Sequence, residues 1–256
     1  VNRDLEKIVL EAGEILKKGF RSDKKVDFKS PVDLVTQFDL EIEKFLKEKL
    51  EKLYPDWQIV GEETSSEYSD ISKKIYIDPI DGTTNFVHSL PFVAISIGFW
   101  EDNQPVEGVV YNPIMYEFFY AKRGKGAYRN GKRISVSDRI PLQNGLISTG
   151  FPYSKVEQGA DYLWTIDIFQ KVLPKTRDIR RYGVASIDLA YIAMGIFDGY
   201  YEMNLKPWDV SAGILLVEEA GGKISNERGE RYQIERDRVI VATNGKIHHE
   251  LIELMR

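Results

Sequence analysis

Apolar residues recur every three or four positions in two stretches near the start of the chain. Over residues 5–20 the opposite face carries Glu6, Lys7, Glu11, Glu14, Lys17 and Lys18, and over residues 40–53 Leu40, Ile42, Phe45, Leu46, Leu50 and Leu53 share one side. This spacing predicts two amphipathic helices. From residue 75 the period shortens: residues 75–77, 92–100, 106–111, 118–121 and 133–136 are apolar runs bounded by turn residues, with Asn130-Gly131 as a hairpin turn. They predict a largely antiparallel sheet. Beyond residue 138, helical stretches (162–172, 187–194, 211–220) alternate with short strands (200–203, 239–242), as in an α/β half. Two subdomains are expected, residues 1–137 and 138–256, each carrying part of one catalytic unit. They should share a face, because no repeat, low-complexity tract or long flexible linker separates them.

Composition narrows the classes of function. The chain has 256 residues, 43% hydrophobic, enough for a sizeable core. A net charge of -5 argues against affinity built on broad neutralisation of nucleic-acid phosphates, so direct nucleic-acid binding is not expected, although a local basic patch stays open. The absence of cysteine removes disulfides, thiolate metal sites and a cysteine nucleophile, and fits the cytoplasm. No stretch is long and apolar enough for a membrane span or signal peptide.

The chemistry concentrates at Ile75-Tyr76-Ile77-Asp78-Pro79-Ile80-Asp81-Gly82-Thr83-Thr84. An apolar strand runs into two acids three residues apart, and the intervening proline forces the chain to turn. Paired carboxylates at a strand end repel unless a cation lies between them, and hard divalent ions such as Mg²⁺ prefer oxygen ligands. The Ile80 carbonyl is a further candidate ligand. Gly82, Thr83 and Thr84 permit close backbone approach and supply N–H and hydroxyl donors suited to a phosphate oxygen, especially if a helical turn begins at Thr84. Taken singly, Asp-Gly-Thr reads equally as a turn and helix cap. Asp78 resists that reading, since an unpaired acid after a buried strand is costly. Gly61-Glu62-Glu63 after a strand and Pro207-Trp208-Asp209 before an apolar helix add acids that alone would be a solvated turn and an N-cap.

In their order, Gly61-Glu62-Glu63, residues 78–86 and Trp208-Asp209 followed by Glu219-Ala220-Gly221-Gly222 resemble the inositol monophosphatase family of lithium-sensitive, metal-dependent phosphatases. Residues 31–39, Gly124-Lys125-Gly126-Ala127 and Tyr200-Tyr201-Glu202-Met203 agree, so the resemblance spans nearly the whole chain. It implies a layered αβαβα sandwich with the site between subdomains, two or three Mg²⁺ ions and a homodimer. Glu62, Asp78 and the Ile80 carbonyl would hold one metal, and Asp78, Asp81 and Asp209 a second. Thr83 and Glu62 would orient and deprotonate the attacking water, with Asp39 supporting Thr83. The Gly82 and Thr83 amides would hold phosphate, and Asp81, Gly183, Val184, Ala185 and Glu202 would meet substrate hydroxyls. Val184 departs from the Thr or Ser of many relatives, so only its backbone can serve there.

The resemblance implies hydrolysis of a small phosphorylated polyol or sugar, with inositol 1-phosphate as the leading substrate. Fructose-1,6-bisphosphatase or dual activity is the alternative, using Arg180, Arg181 or Lys206 for a second phosphate, and adenosine 3′,5′-bisphosphate is a further candidate. Some bacterial relatives act in transcription and ribosome-assembly complexes, which makes a regulatory partner an alternative of another class. Arg177, Arg180, Arg181 and Lys206 read equally as a solvated strand edge and receive no role. Residues 126–133 approach a nucleotide phosphate loop, but Arg133 stands where that loop needs Ser or Thr. His88, His248 and His249 are too few for a zinc cluster, and the last two are expected on a solvated helix.

Overall fold

A computed structural model describes residues 2–30, 33–64 and 71–255. Helix α1 (Arg3–Phe20) starts where the Asn2 side chain accepts the Asp4 N–H at 3.0 Å. A hairpin of β1 (Val26–Ser30) and β2 (Asp33–Thr36) leads into α2 (Gln37–Leu53), while Pro31 and Val32 lie outside the described residues. There follow β3 (Gln58–Gly61), β4 (Lys73–Asp81), the short α3 (Thr83–Val87), β5 (Ala94–Glu101), β6 (Gln104–Asn112), β7 (Glu117–Lys122), β8 (Gly126–Arg129) and β9 (Lys132–Ile134). Strands β3 to β9 form a seven-stranded sheet in chain order. Its β3–β4 pair is parallel and the other neighbours are antiparallel.

The remaining chain forms β10 (Leu146–Thr149), α4 (Ala160–Val172), β11 (Asp178–Arg180), α5 (Ala185–Ala193), β12 (Gly199–Met203), α6 (Pro207–Glu219), β13 (Lys223–Ser225), β14 (Val239–Thr243) and α7 (His248–Glu253). A five-stranded sheet takes the order β11-β10-β12-β14-β13, parallel around β10 and antiparallel around β14. Strands β1, β2, β10, β11 and β13 escape the sequence pattern because three to five residues are too few to display a period.

Three apolar clusters define the layers. Leu5, Leu16, Ile42 and Leu46 of α1 and α2 pack against Ile75, Ile77, Ile95 and Ile97 on one face of the first sheet. Its other face meets α5 and α6, whose Ile187, Leu189, Ile214 and Leu216 also pack under Tyr200 and Ile240 of the second sheet. Outside that sheet, Ile168 of α4 and Leu251 of α7 cover Ile147, Tyr201 and Val241. The result is the αβαβα sandwich, with each buried aliphatic side chain contributing about 1.5–3 kcal/mol relative to exposure. No helix among the described residues is long and apolar enough to cross a membrane.

Candidate active site

Strand β4 delivers Asp78 and Asp81 to the junction of the layers. Its pairing with β5 runs Asp78 opposite Ser96 and then skips to Asp81 opposite Ala94, so Pro79 and Ile80 form the irregularity. The proline has no N–H for the ladder, while the Ile80 side chain stays anchored in the core. Gly82 turns the chain into α3 at φ 91 and is the helix N-cap, so the helical turn begins at Thr83, one residue before Thr84. A Cβ on Gly82 would lie 2.7 Å from Val184 Cγ2, so both backbone angle and neighbour require glycine there.

The acids around this turn are buried and crowd one another. Asp78 is 2% exposed, and its Oδ1 has no hydrogen-bond partner. Burial, then the charges of Glu62, Asp81 and Asp209, hold its carboxyl well above the usual range. Burial likewise raises Asp209, helped by Asp81 and Glu62, and pushes Asp81 up to about 7. Asp81 accepts the Ser186 N–H at 2.7 Å. Among the described residues, no three acidic or histidine side chains are gathered at metal-binding spacing. The orphaned Asp78 oxygen is the atom a hard cation would satisfy.

Glu62 and Glu63 follow β3, and the Lys29 ammonium from the β1–β2 hairpin bridges them at 2.7 and 2.6 Å. A cation therefore already engages Glu62. Burial, then the Glu62 charge, pushes Glu63 up to about 7, and its side chain is 4% exposed, so this is no solvated turn. Behind it, buried Glu43 of α2 accepts the Glu63 N–H at 2.7 Å and the Thr64 hydroxyl.

Asp39 joins the two helical starts. Its Oδ2 accepts the Thr36 N–H at 2.8 Å and the Thr36 hydroxyl at 2.5 Å, closing a capping box on α2. Its Oδ1 lies 3.0 Å from Thr83 Oγ1, which is also 3.0 Å from the Ile80 carbonyl. Thr83 has one hydroxyl hydrogen, so donating it to Asp39 leaves both oxygen lone pairs free to accept.

The later part of the chain closes the site. Asp209 is the third residue of α6, not its N-cap, and its Oδ2 accepts the Lys206 N–H at 2.7 Å. Asn85 ties the 182–185 segment to the turn by donating to the carbonyls of Phe92 and Tyr182, both at 2.8 Å, while those two rings stack at 4.1 Å. Val184, 1% exposed, is the N-cap of α5 without a side-chain cap bond, and Gly183 and Ala185 flank it. Glu202 of β12 accepts the Tyr200 hydroxyl at 2.5 Å, and burial raises its carboxyl.

The basic residues separate. Arg180 pairs with Asp178 at 2.5 Å on the edge strand β11, while Arg181 sits 5.5 Å over Phe151 and interacts electrostatically with Glu202. Lys155, absent from the expected set, joins Arg181 there, and burial, then Arg181, lowers its ammonium. The expected solvation of His248 is overturned: it is 3% exposed and bonded to Ser225 Oγ at 2.8 Å and Thr243 Oγ1 at 2.9 Å, while His249 stays exposed. Lys29, Glu43, Lys155 and the Ser186 amide left no pattern to find, because each meets its partner only across elements.

A model of the inositol monophosphatase family matches residues 3–256. The chain is similar to the fructose-1,6-bisphosphatase/inositol-1-monophosphatase of Aquifex aeolicus, 35% identical over 249 residues, 96% of this chain and 92% of that protein. It is 40% identical over 250 residues to an inositol monophosphatase of Mesembryanthemum crystallinum, covering 96% and 92% respectively. The crystal structure of extragenic suppressor protein suhB from Bartonella henselae superposes with a TM-score of 0.92 at 36% identity, covering 99% of this chain and 97% of that one.

Proposed function

The chain belongs to the inositol monophosphatase family of phosphatases, and from that premise we propose that it hydrolyses inositol 1-phosphate or a similar small phosphate monoester with Mg²⁺. The observation that carries this reading is Asp78, a buried carboxylate with an orphaned oxygen, set among Glu62, Asp81 and Asp209. Glu62, Asp78 and the Ile80 carbonyl would hold one ion, and Asp78, Asp81 and Asp209 another. Bound there, the ions would lower the pKa of water and offset charge on the entering and leaving oxygens. Thr83 donates to Asp39 and accepts from the attacking water, fixing that oxygen's orientation, while Glu62 takes its proton. The Gly82 and Thr83 amides hold phosphate, and Asp81, Glu202 and the backbone at residues 183–185 orient the substrate hydroxyls.

A second reading, bisphosphate hydrolysis, is favoured by Arg181 and Lys155, two cations beside Glu202 that make no carboxylate salt bridge among the described residues. They suit a second anionic group on a sugar phosphate. The test is phosphate release from inositol 1-phosphate, fructose 1,6-bisphosphate and adenosine 3′,5′-bisphosphate, with and without Mg²⁺, for native protein and Asp81→Asn. Mg²⁺-dependent release lost in Asp81→Asn is expected. Near-native turnover by the folded variant refutes the metal assignment, and the preferred ester selects between substrates.

A further inference from the structure

Helices α1 and α2 do not cover the whole outer face of the first sheet. Beyond α1 part of the outer face of β7 and β8 stays open, forming a cleft of about 920 Å³ where the part-exposed rings of Phe118 and Tyr128 lie beside the buried Tyr111 and Tyr120, with Glu6 on its α1 wall. Register puts these rings side by side: Tyr111 pairs with Phe118, and Tyr120 with Tyr128. The Tyr111 and Phe118 centroids lie 5.5 Å apart. Two phenol hydroxyls are tied at the margin, Tyr120 to Glu107 at 2.7 Å and Tyr128 to the Lys125 carbonyl at 3.0 Å.

In a chain whose net charge is -5, the 122–133 segment brings three cations to this face: Lys122, paired with Glu107 at 3.6 Å, Lys125 and Arg133, while Arg129 turns to the opposite face and pairs with Glu117. Lys125 lines the cleft, and Arg133 pairs across the strands with Tyr128, which puts it on the same face. Neither side chain has a carboxylate partner among the described residues. Aromatic floors with a few convergent polar groups and volumes of about 300–1,000 Å³ are small-molecule sites, and the positive rim selects an anion.

We propose that this cleft is a binding site, separate from the phosphatase centre, for a nucleotide-sized anion. Its flat ring stacks on the part-exposed Phe118 and Tyr128, its anionic arm meets Lys125 and Arg133, and an amino or hydroxyl group on the ring donates to Glu6. A continuous nucleic-acid strand fits less well, because α1 walls one side of the cleft and Glu6 and Glu107 flank it.

The test is calorimetric titration with 3′,5′-cyclic AMP, a diester that a phosphomonoesterase does not consume, in EDTA so that no metal recruits it to the catalytic carboxylates. The expected result is one saturable site per chain. Lys125→Glu and Arg133→Glu, both exposed and remote from the catalytic turn, should each weaken binding at least fivefold and leave phosphatase turnover unchanged. Absence of saturable binding, or equal binding by both variants, overturns the proposal. A hexa-adenylate RNA binding more than tenfold tighter than cyclic AMP overturns it in favour of a nucleic-acid strand.

Discussion

Replacing Glu43 with Ala tests whether the acidic turn at Glu62-Glu63 is positioned from behind by α2. The buried Glu43 carboxylate accepts the Glu63 N–H at 2.7 Å and the Thr64 hydroxyl, while Lys47 donates to that hydroxyl oxygen at 2.7 Å. Gly61 leaves space for the carboxylate, since a Cβ there would lie 2.4 Å from its carbon. Hydrogen bonds to a charged group contribute about 1.5–3 kcal/mol each, so losing two should remove roughly 3–6 kcal/mol. For a chain of this size, at ~2–4 °C per kcal/mol, the melting temperature should fall by on the order of 10 °C. Loss of a residue that orients a metal ligand typically costs about 10–100-fold in metal affinity. Thermal melts in EDTA read the first effect, and the Mg²⁺ concentration for half-maximal phosphate release reads the second. Gly61→Ala should move both in the same direction by crowding the same contact. A destabilised Glu43→Ala with unchanged Mg²⁺ half-saturation would refute the positioning role, and an unchanged melt would refute the bonding.

Thr83→Ala should lower kcat by about 100-fold or more with little change in melting temperature, and Thr83→Ser should restore most of it, because the hydroxyl bonded to Asp39 is what matters; equal kcat for Ala and Ser sinks the assignment. Lys29→Gln removes the ammonium bridging Glu62 and Glu63, so Mg²⁺ should raise its melting temperature more than it raises that of the native chain. An equal rise in both shows that Lys29 offsets no repulsion there. His248 is held neutral, its pKa lowered by burial and then by Lys223 from 6.5 to about 4. The unfolded chain therefore binds the extra proton between those values, and stability falls as pH drops from 6.5 toward 4, by up to about 3 kcal/mol at roughly 1.4 kcal/mol per pH unit. The difference between native and His248→Gln urea midpoints across that window isolates this slope from the carboxylates, and a constant difference contradicts it.

Residues with a local signature were legible in the sequence. The alternation of helices and strands, the strand-end pair Asp78 and Asp81, and the Gly82 turn all record chemistry between near neighbours. So does Asp209, read as a cap and found as the third residue of its helix, reaching back to the Lys206 N–H, whereas Asp39, implied only by the family resemblance, does the same at the start of α2. Two motifs that carried the family resemblance, residues 124–127 and 219–222, are joined structurally: Glu219 accepts the Gly124 and Gly126 N–H groups, both at 2.7 Å. His248 was misplaced because its exposure depends on β13 and β14, which lie next to it only after the second sheet has formed.

The linear pattern thus determined the alternation of helices and strands and the order of the acids, since periodicity and short-range turns are properties of contiguous residues, and the motifs' resemblance to the family implied the layered sandwich and the phosphatase chemistry. Tertiary structure alone decided that Lys29 crosses 33 residues to Glu62, that Ser186 crosses 105 to Asp81, and that Arg181 rather than Arg180 faces Glu202. Such contacts follow from how layers pack and which strands become neighbours, and loop closure leaves no local period in the residues it brings together.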